Sequence, residues 1–359
     1  MTAVTDAPAT PAPLHDPAAR GFASDNSSGV HPEVLEAIAR ANGGHQHAYG
    51  ADVHTARLQE VFRAQFGVRV RAYPVFNGTG ANVVSLMSVT ERWDAVICTD
   101  LAHIHVDECG APERVGGLKL LPVPASDAKL TPELVDRQAH GFGDAHPAQP
   151  KVVSVTQSRE VGTVYTPAEL SALVEHAHEL GLVVHLDGAR VANAAAALGV
   201  PLRAITTDAG VDIVSFGGTK NGLLYGECVL VLNPDVVRGV EFVRKASMQL
   251  ASKMRFVSAQ FEALLAGDLW LRNASHSNAM ARRLRDAVSD VAGLQITQPV
   301  EANMLFAELP AKAAARLQEH YPFYVVDEAR GLARWVTSYD TTEEDVDGFA
   351  AAIRAELGG

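Results

Sequence analysis

Between residues 70 and 235 short apolar runs, each the length of one strand, alternate with stretches of helical periodicity. The runs are Tyr73 to Phe76, Ala95 to Cys98, Leu118 to Val123, Lys151 to Thr156, Val183 to Leu186 and Val214 to Phe216. Strands that alternate with helices argue for an α/β fold with a mostly parallel sheet covered by helices on both faces. With 359 residues the chain can bury a large core, and its length suggests two domains or one large domain with an appendage.

The stretch from Val183 to Gly222 organises the rest. It reads Val-Val-His-Leu-Asp-Gly-Ala-Arg at one end and Val-Ser-Phe-Gly-Gly-Thr-Lys-Asn-Gly at the other. Each apolar run breaks at its C-terminal edge into glycine and one charged residue, Asp187 in the first and Lys220 in the second. In an open α/β sheet that edge is where ligands bind. A carboxylate and a lysine on neighbouring strand ends suit pyridoxal phosphate: its ring nitrogen stays protonated beside an anion, and its aldehyde forms a Schiff base with an amine. The competing reading is an ion pair or two unrelated solvated charges.

Taken in order, the chain opens with residues 1–20, rich in Ala, Pro and Thr and without an apolar segment flanked by basic residues, which read as a disordered leader. Phe22-Ala-Ser-Asp-Asn-Ser-Ser-Gly29 is turn-rich, and Ser24 is either a turn hydroxyl or a ligand contact. His31-Pro32 opens an amphipathic helix ending at Gly43-Gly44. His45 and His47 follow without a carboxylate or thiolate at metal-ligand spacing. A helix is expected over residues 55–66. After the first strand, Asn77-Gly-Thr-Gly-Ala-Asn82 leads into an apolar helix. A strand, a glycine turn and a helix start present free N–H groups to an anion, or simply cap a tight turn. The lysine of a P-loop and the third glycine of a dinucleotide fingerprint are missing, so a cofactor with one phosphate fits better.

His103, just after a strand, is either a satisfied polar residue, the commoner case, or a ring placed to lie over an aromatic cofactor and to transfer protons. Thr131-Pro132 opens a helix, and Thr166, Pro167 and Glu169 write a capping box for another, whose apolar face is Leu170, Leu173, Val174, Ala177 and Leu180. His176 and His178 on that helix are expected to face solvent. Beyond Pro234 long helices are expected, then a smaller α+β unit with apolar runs at 304–306, 323–326 and 335–336 and a final helix from Thr342. The boundary falls near residue 265, giving a leader over 1–20, a large domain over 21–265 and a small one over 266–359.

The net charge of -12 argues against a nucleic-acid surface. Cys98, Cys109 and Cys228 have neither zinc-knuckle nor redox-pair spacing, which fits a reducing, cytoplasmic setting. No apolar stretch reads as a membrane anchor.

Together these segments resemble the threonine aldolases, pyridoxal-phosphate enzymes of the aspartate-aminotransferase fold (fold type I), in the low-specificity branch that cleaves threonine and phenylserine-type amino acids. Phe22-Ala-Ser-Asp-Asn26, Ala48-Tyr49-Gly50, Phe76-Asn-Gly-Thr-Gly-Ala-Asn82, His103 with Glu108, Leu186-Asp-Gly-Ala-Arg190 and Phe216-Gly-Gly-Thr-Lys-Asn-Gly222 match the family's segments in order, from about Phe22 to the C-terminus. The resemblance implies Lys220 as the cofactor lysine, Asp187 as the partner of the ring nitrogen, Gly78 and Thr79 as phosphate holders, and His103 as the stacking residue and first candidate base. It implies Ser24, Arg190 and Arg334 as the grip on the substrate carboxylate, a task suited to planar guanidinium groups. It implies Arg255 as a further, weaker candidate for a second phosphate contact. In a homotetramer Tyr49 and Arg255 would serve a neighbour's cofactor, with a small amino acid as substrate. Two departures stand out. Gln157-Ser-Arg-Glu160 occupies the place of a frequent histidine, and His47 that of a frequent acidic residue.

The implied reaction is retro-aldol cleavage of a 3-hydroxy amino acid to glycine and an aldehyde, with other fold type I enzymes (β-eliminating lyases, transaldolases) as the near alternative. A different class starts from His185-Leu-Asp187, the His-x-Asp spacing of an iron site completed by a distant histidine such as His276. A third reading is a non-catalytic subunit that keeps the fold.

Overall fold

The computed structural model describes residues 14–125 and 127–358. Seven strands form the central sheet: β1 (Arg71–Val75), β2 (Asp94–Thr99), β3 (Lys119–Val123), β4 (Gln149–Thr156), β5 (Val183–Gly188), β6 (Ile213–Gly217) and β7 (Glu227–Val231). Their order is β1-β7-β6-β5-β4-β2-β3, and only β7 runs against its neighbours. Every residue of β2, β5, β6 and β7 is buried, so these strands read as continuous apolar runs rather than alternating ones. The C-terminal ends of β4, β5 and β6 share one edge, and the helix Gly78–Met87 begins there too.

Local signals set the helix boundaries. The capping box closes as expected: Thr166 Oγ1 accepts from Glu169 N at 3.2 Å and Glu169 Oε2 from Thr166 N at 2.9 Å. The helix expected over 55–66 starts earlier, at Val53, because Asp52 Oδ1 accepts from Thr55 N at 2.8 Å and makes Asp52 the cap. Of the two histidines expected to face solvent, His178 is exposed and His176 half-buried, and both are tied to carboxylates, His176 Nε2 to Asp136 Oδ1 at 2.7 Å and His178 Nε2 to Asp212 Oδ2 at 2.9 Å. Both carboxylates come from other elements, which helical periodicity does not register.

Strands β8 (Gln295–Ile296), β9 (Met304–Glu308), β10 (Tyr324–Asp327) and β11 (Leu332–Val336) form a smaller antiparallel sheet in the order β10-β11-β9-β8. The expected runs fall on three of these; β8, two residues long, is too short to show a period. The helix Leu269–Val288 joins the two bodies: Leu269, Trp270 and Ala274 pack into the core of the large sheet, and Met280, Ala281, Leu284 and Val288 into that of the small one.

Phe22 belongs to the second core. Its ring stacks on Phe349 at 4.5 Å, its N–H donates to Pro322 O and its carbonyl accepts from Val336 N. The residues after it, Ala23 to Asp25, are thereby fixed against both bodies. The leader expected over residues 1–20 lies outside the described residues as far as residue 13; residues 14–20 are exposed, and Arg20 Nε is 3.6 Å from Asp340 Oδ2. Among the described residues no helix is long and apolar enough to cross a membrane.

Candidate active site

Asp187 is the penultimate residue of β5, with its carboxylate at the sheet edge. Oδ1 accepts from Ala189 N at 3.0 Å and Oδ2 from Asn82 Nδ2 at 2.9 Å. Asn82 Nδ2 also donates to Glu108 Oε1 at 2.8 Å, and the same oxygen faces His103 Nδ1 at 2.8 Å. His103 opens a short helix after β2. Its hydrogen bond to Glu108 above all, against burial, raises its pKa above the ordinary histidine value.

Lys220 sits on the turn after β6. A Cβ on Gly217 would stand 2.3 Å from Ala189 O, so only glycine lets the ends of β5 and β6 come this close. Gly218 N donates to Glu227 Oε2 on β7 at 2.7 Å, and burial pushes that carboxyl up to about 7. The Arg190 charge, followed by burial, holds the Lys220 amine below the usual lysine range. Among the described residues Lys220 Nζ has no hydrogen-bond or ion-pair partner.

The helix Gly78–Met87 is capped by Asn77, whose Oδ1 accepts from Gly80 N at 2.7 Å. The N–H groups of Gly78 and Thr79 find no protein acceptor among the described residues, and the space where a Gly78 Cβ would sit is open. Unused N–H groups at the positive end of a helix suit a phosphate. With the buried, unpartnered Asn82 Oδ1 and Glu108 Oε2 nearby, and Asp187 and Lys220 in the same cleft, the residues fit a phosphorylated pyridine aldehyde.

Opposite, Arg190 Nε and Nη2 donate to Asp25 Oδ2 and Oδ1 at 2.7 and 2.8 Å, and Asn303 Nδ2 to Asp25 Oδ2 at 3.0 Å. Burial would raise the Asp25 carboxyl, but the charge and hydrogen bonds of Arg190 outweigh it and hold the pKa below the ordinary value. Arg334 Nη2 donates to Ala23 O at 3.3 Å, while its Nε is buried without a partner. Ser24 Oγ accepts from Asn26 N at 3.1 Å, the turn-hydroxyl geometry.

Thr156 ends β4, and Glu160 folds back to it: Glu160 Oε1 accepts from Thr156 Oγ1 at 2.6 Å and from His103 N at 3.3 Å. Burial pushes this carboxyl up to about 7. Its neighbour Arg159 turns the other way, with Nη1 on Asp127 Oδ2 at 3.0 Å.

Of the residues singled out in the sequence, Gly78, His103, Asp187, Arg190 and Lys220 line one cleft. Thr79, Ser24, Arg334, Tyr49 and Arg255 do not line it. Tyr49 is exposed at φ 59° with Lys245 Nζ 5.1 Å over its ring, and Arg255 Nη1 donates to Gly44 O at 2.9 Å. Asp25 and the inward turn of Glu160 were not read from the sequence. Nothing local marks either: the partner of Asp25 lies 165 positions away, and that of Glu160 is set by the fold of its turn.

The iron reading is corrected. His185 is fully buried, with Nδ1 on Ser154 Oγ and Nε2 on Ser215 Oγ, both at 2.9 Å, and burial lowers its pKa to about 4. Both nitrogens are used by serines, and His276 Nε2 bonds Thr341 O at 2.7 Å instead. Among the described residues no group of three His, Cys, Asp or Glu side chains is arranged to hold a metal.

Comparison with known proteins agrees with this geometry. The family model of the beta-eliminating lyases matches residues 21–311. The low specificity L-threonine aldolase of Pseudomonas aeruginosa is 44% identical over 339 residues, covering 94% of this chain and 98% of that one. The low specificity L-threonine aldolase of Escherichia coli is 30% identical over 332 residues, covering 90% and 95%. The solved structure of the Leishmania major threonine aldolase superposes with a TM-score of 0.88 at 30% identity, covering 94% of this chain and 99% of that one. The fold, the cleft and these relatives agree, and the chain belongs to the threonine aldolases of the beta-eliminating lyase family, pyridoxal-phosphate-dependent carbon–carbon lyases of fold type I.

Proposed function

We propose that the chain cleaves L-threonine, L-allo-threonine and related 3-hydroxy amino acids, phenylserine among them, to glycine and an aldehyde. The observation that carries this is the meeting of Asp187 and Lys220 at the ends of adjacent strands, beside the unused N–H groups of Gly78 and Thr79. When bound, pyridoxal phosphate supplies an electron-poor ring that takes up the electron pair of a breaking bond at Cα.

The chain's residues do the rest. Lys220, held below the usual lysine range by the Arg190 charge and burial, is the amine that would bond the cofactor's aldehyde carbon. Asp187, fixed by Asn82 and Ala189, keeps a proton on the ring nitrogen. Gly78 and Thr79 hold the phosphate, and His103, clamped by Glu108, covers the ring face. Arg190 and Arg334, close enough for each charge to act on the other, would bind the substrate carboxylate, with Ser24 as a third contact. Arg190 is itself oriented by Asp25, which leaves Nη1 to reach the substrate.

The same reading takes the protein as a cytoplasmic homotetramer in which Tyr49 and Arg255 contribute to a neighbouring subunit's cofactor site. Tyr49, Phe76, Leu224, Tyr225 and Met248 are large exposed apolar side chains, with the rings of Phe76 and Tyr225 6.0 Å apart, as expected of a face that another subunit covers.

The test is the absorption spectrum of the purified protein, followed by L-threonine or L-phenylserine and an assay for aldehyde. A yellow protein that releases aldehyde supports the reading, and the faster substrate narrows its specificity. A colourless protein that stays inert with added pyridoxal phosphate would overturn it.

A further inference from the structure

Retro-aldol cleavage needs a group to take the β-hydroxyl proton, and the cleft offers three carboxylates and one imidazole. Asp187 has both oxygens committed, to Ala189 N and Asn82 Nδ2. Glu108 is behind His103 with its side chain fully buried; its Oε1 already meets His103 and Asn82, and its Oε2, though unpartnered, is shut off from solvent. His103 gives Nδ1 to Glu108 at 2.8 Å, and in the reading above its ring is committed to covering the cofactor face.

Glu160 is different on each count. It lines the cleft with Lys220 and Asp187, and Thr156 Oγ1 and His103 N both attach to Oε1, which fixes the carboxyl while Oε2 has no partner among the described residues. A fixed carboxyl with one uncommitted oxygen facing a reaction cleft is the geometry of a general base. We propose that Glu160 takes the proton from the β-hydroxyl of the substrate, an assignment that rests on the aldol reading above. Burial holds this carboxyl near 7, so at neutral pH it both accepts and returns a proton.

The step balances. The hydroxyl proton passes to Glu160 Oε2, and the electron pair it leaves on oxygen becomes the second bond of the aldehyde carbonyl. The Cα–Cβ bond breaks with its pair on the Cα side, and Cα then takes up a proton, so glycine and aldehyde form with no net change in protons. The Gln157 to Glu160 segment thus supplies, from a carboxylate, a proton acceptor where a histidine is frequent.

The experiment compares wild type, Glu160→Gln and Glu160→Asp, each loaded with pyridoxal phosphate, by L-threonine cleavage and by absorbance titration with glycine, which has no β-hydroxyl. In Glu160→Gln kcat is expected to fall about 10²- to 10⁴-fold while the glycine Kd stays within about twofold, and Glu160→Asp is expected to recover part of the loss. Cleavage by Glu160→Gln within about fivefold of wild type would overturn the assignment, as would loss of glycine binding in proportion to kcat, which marks a structural role. A wild type that binds the cofactor and releases no aldehyde overturns the aldol reading itself, and the assignment with it.

Discussion

Asn82 Nδ2 donates to Asp187 Oδ2 at 2.9 Å while the same nitrogen holds Glu108 Oε1 at 2.8 Å. One amide therefore couples the carboxylate under the ring nitrogen to the carboxylate behind His103. A hydrogen bond to a charged group contributes about 1.5–3 kcal/mol. Asn82→Ala is expected to weaken pyridoxal-phosphate binding about 10- to 100-fold, read by titrating the cofactor-free protein. A dissociation constant within about twofold of wild type would show that Asp187 is held well enough by Ala189 N alone.

Lys220 is half-buried in the cleft with Arg190, whereas Lys245 is over the exposed ring of Tyr49 and Lys253 is exposed. Borohydride reduction of the loaded protein followed by peptide mapping should label Lys220 and neither of the others, and Lys220→Ala should lose the visible band and the cleavage activity. A label on Lys245 or Lys253 would remove Lys220 from its proposed role.

Much of this cleft could be read from local patterns, because its parts are strand ends and helix starts. Asp187 and Lys220 each follow an apolar run, and the Asn77 to Asn82 turn announces its helix. What stayed hidden was decided by distant pairings. Asp25 reads as one polar residue in a turn until the chain brings Arg190 to it across 165 positions. Arg159 and Glu160 are adjacent, and which of them enters the cleft depends on Asp127 and Thr156, not on sequence periodicity. His185 beside Asp187 looks like a ligand pair because the flanking serines belong to other strands.

The Asp25–Arg190 pair is bidentate, with the Asp25 side chain fully buried and Arg190 13% exposed. Removing one member of a buried pair strands the other charge and typically costs about 3–5 kcal/mol. Asp25→Ala is expected to lower stability by about that amount in urea unfolding, and the freed Arg190 should raise KM for the amino acid more than it lowers kcat. Unchanged stability would mean that Asn303 and solvent compensate for the lost carboxylate.

His185 is a buried base that the folded protein keeps neutral. Its folded pKa is about 4 because burial disfavours the imidazolium, against about 6.5 for an exposed histidine. The unfolded chain therefore binds a proton below about pH 6.5 that the folded chain refuses until about 4. The stability held by the neutral form is complete above pH 6.5 and falls by about 1.4 kcal/mol per pH unit below it, on the order of 3 kcal/mol in all. Glu227 acts in the opposite sense: its folded pKa of about 7 exceeds the value near 4.3 of an exposed glutamate, so protonation stabilises the folded form as pH falls. Comparing wild type with His185→Gln cancels that contribution, since Gln can still bridge Ser154 and Ser215 and does not titrate. Urea unfolding across this range should show wild type losing stability relative to the variant as pH falls from about 6.5 to 4, and a flat difference would mean that His185 titrates alike in the folded and unfolded protein.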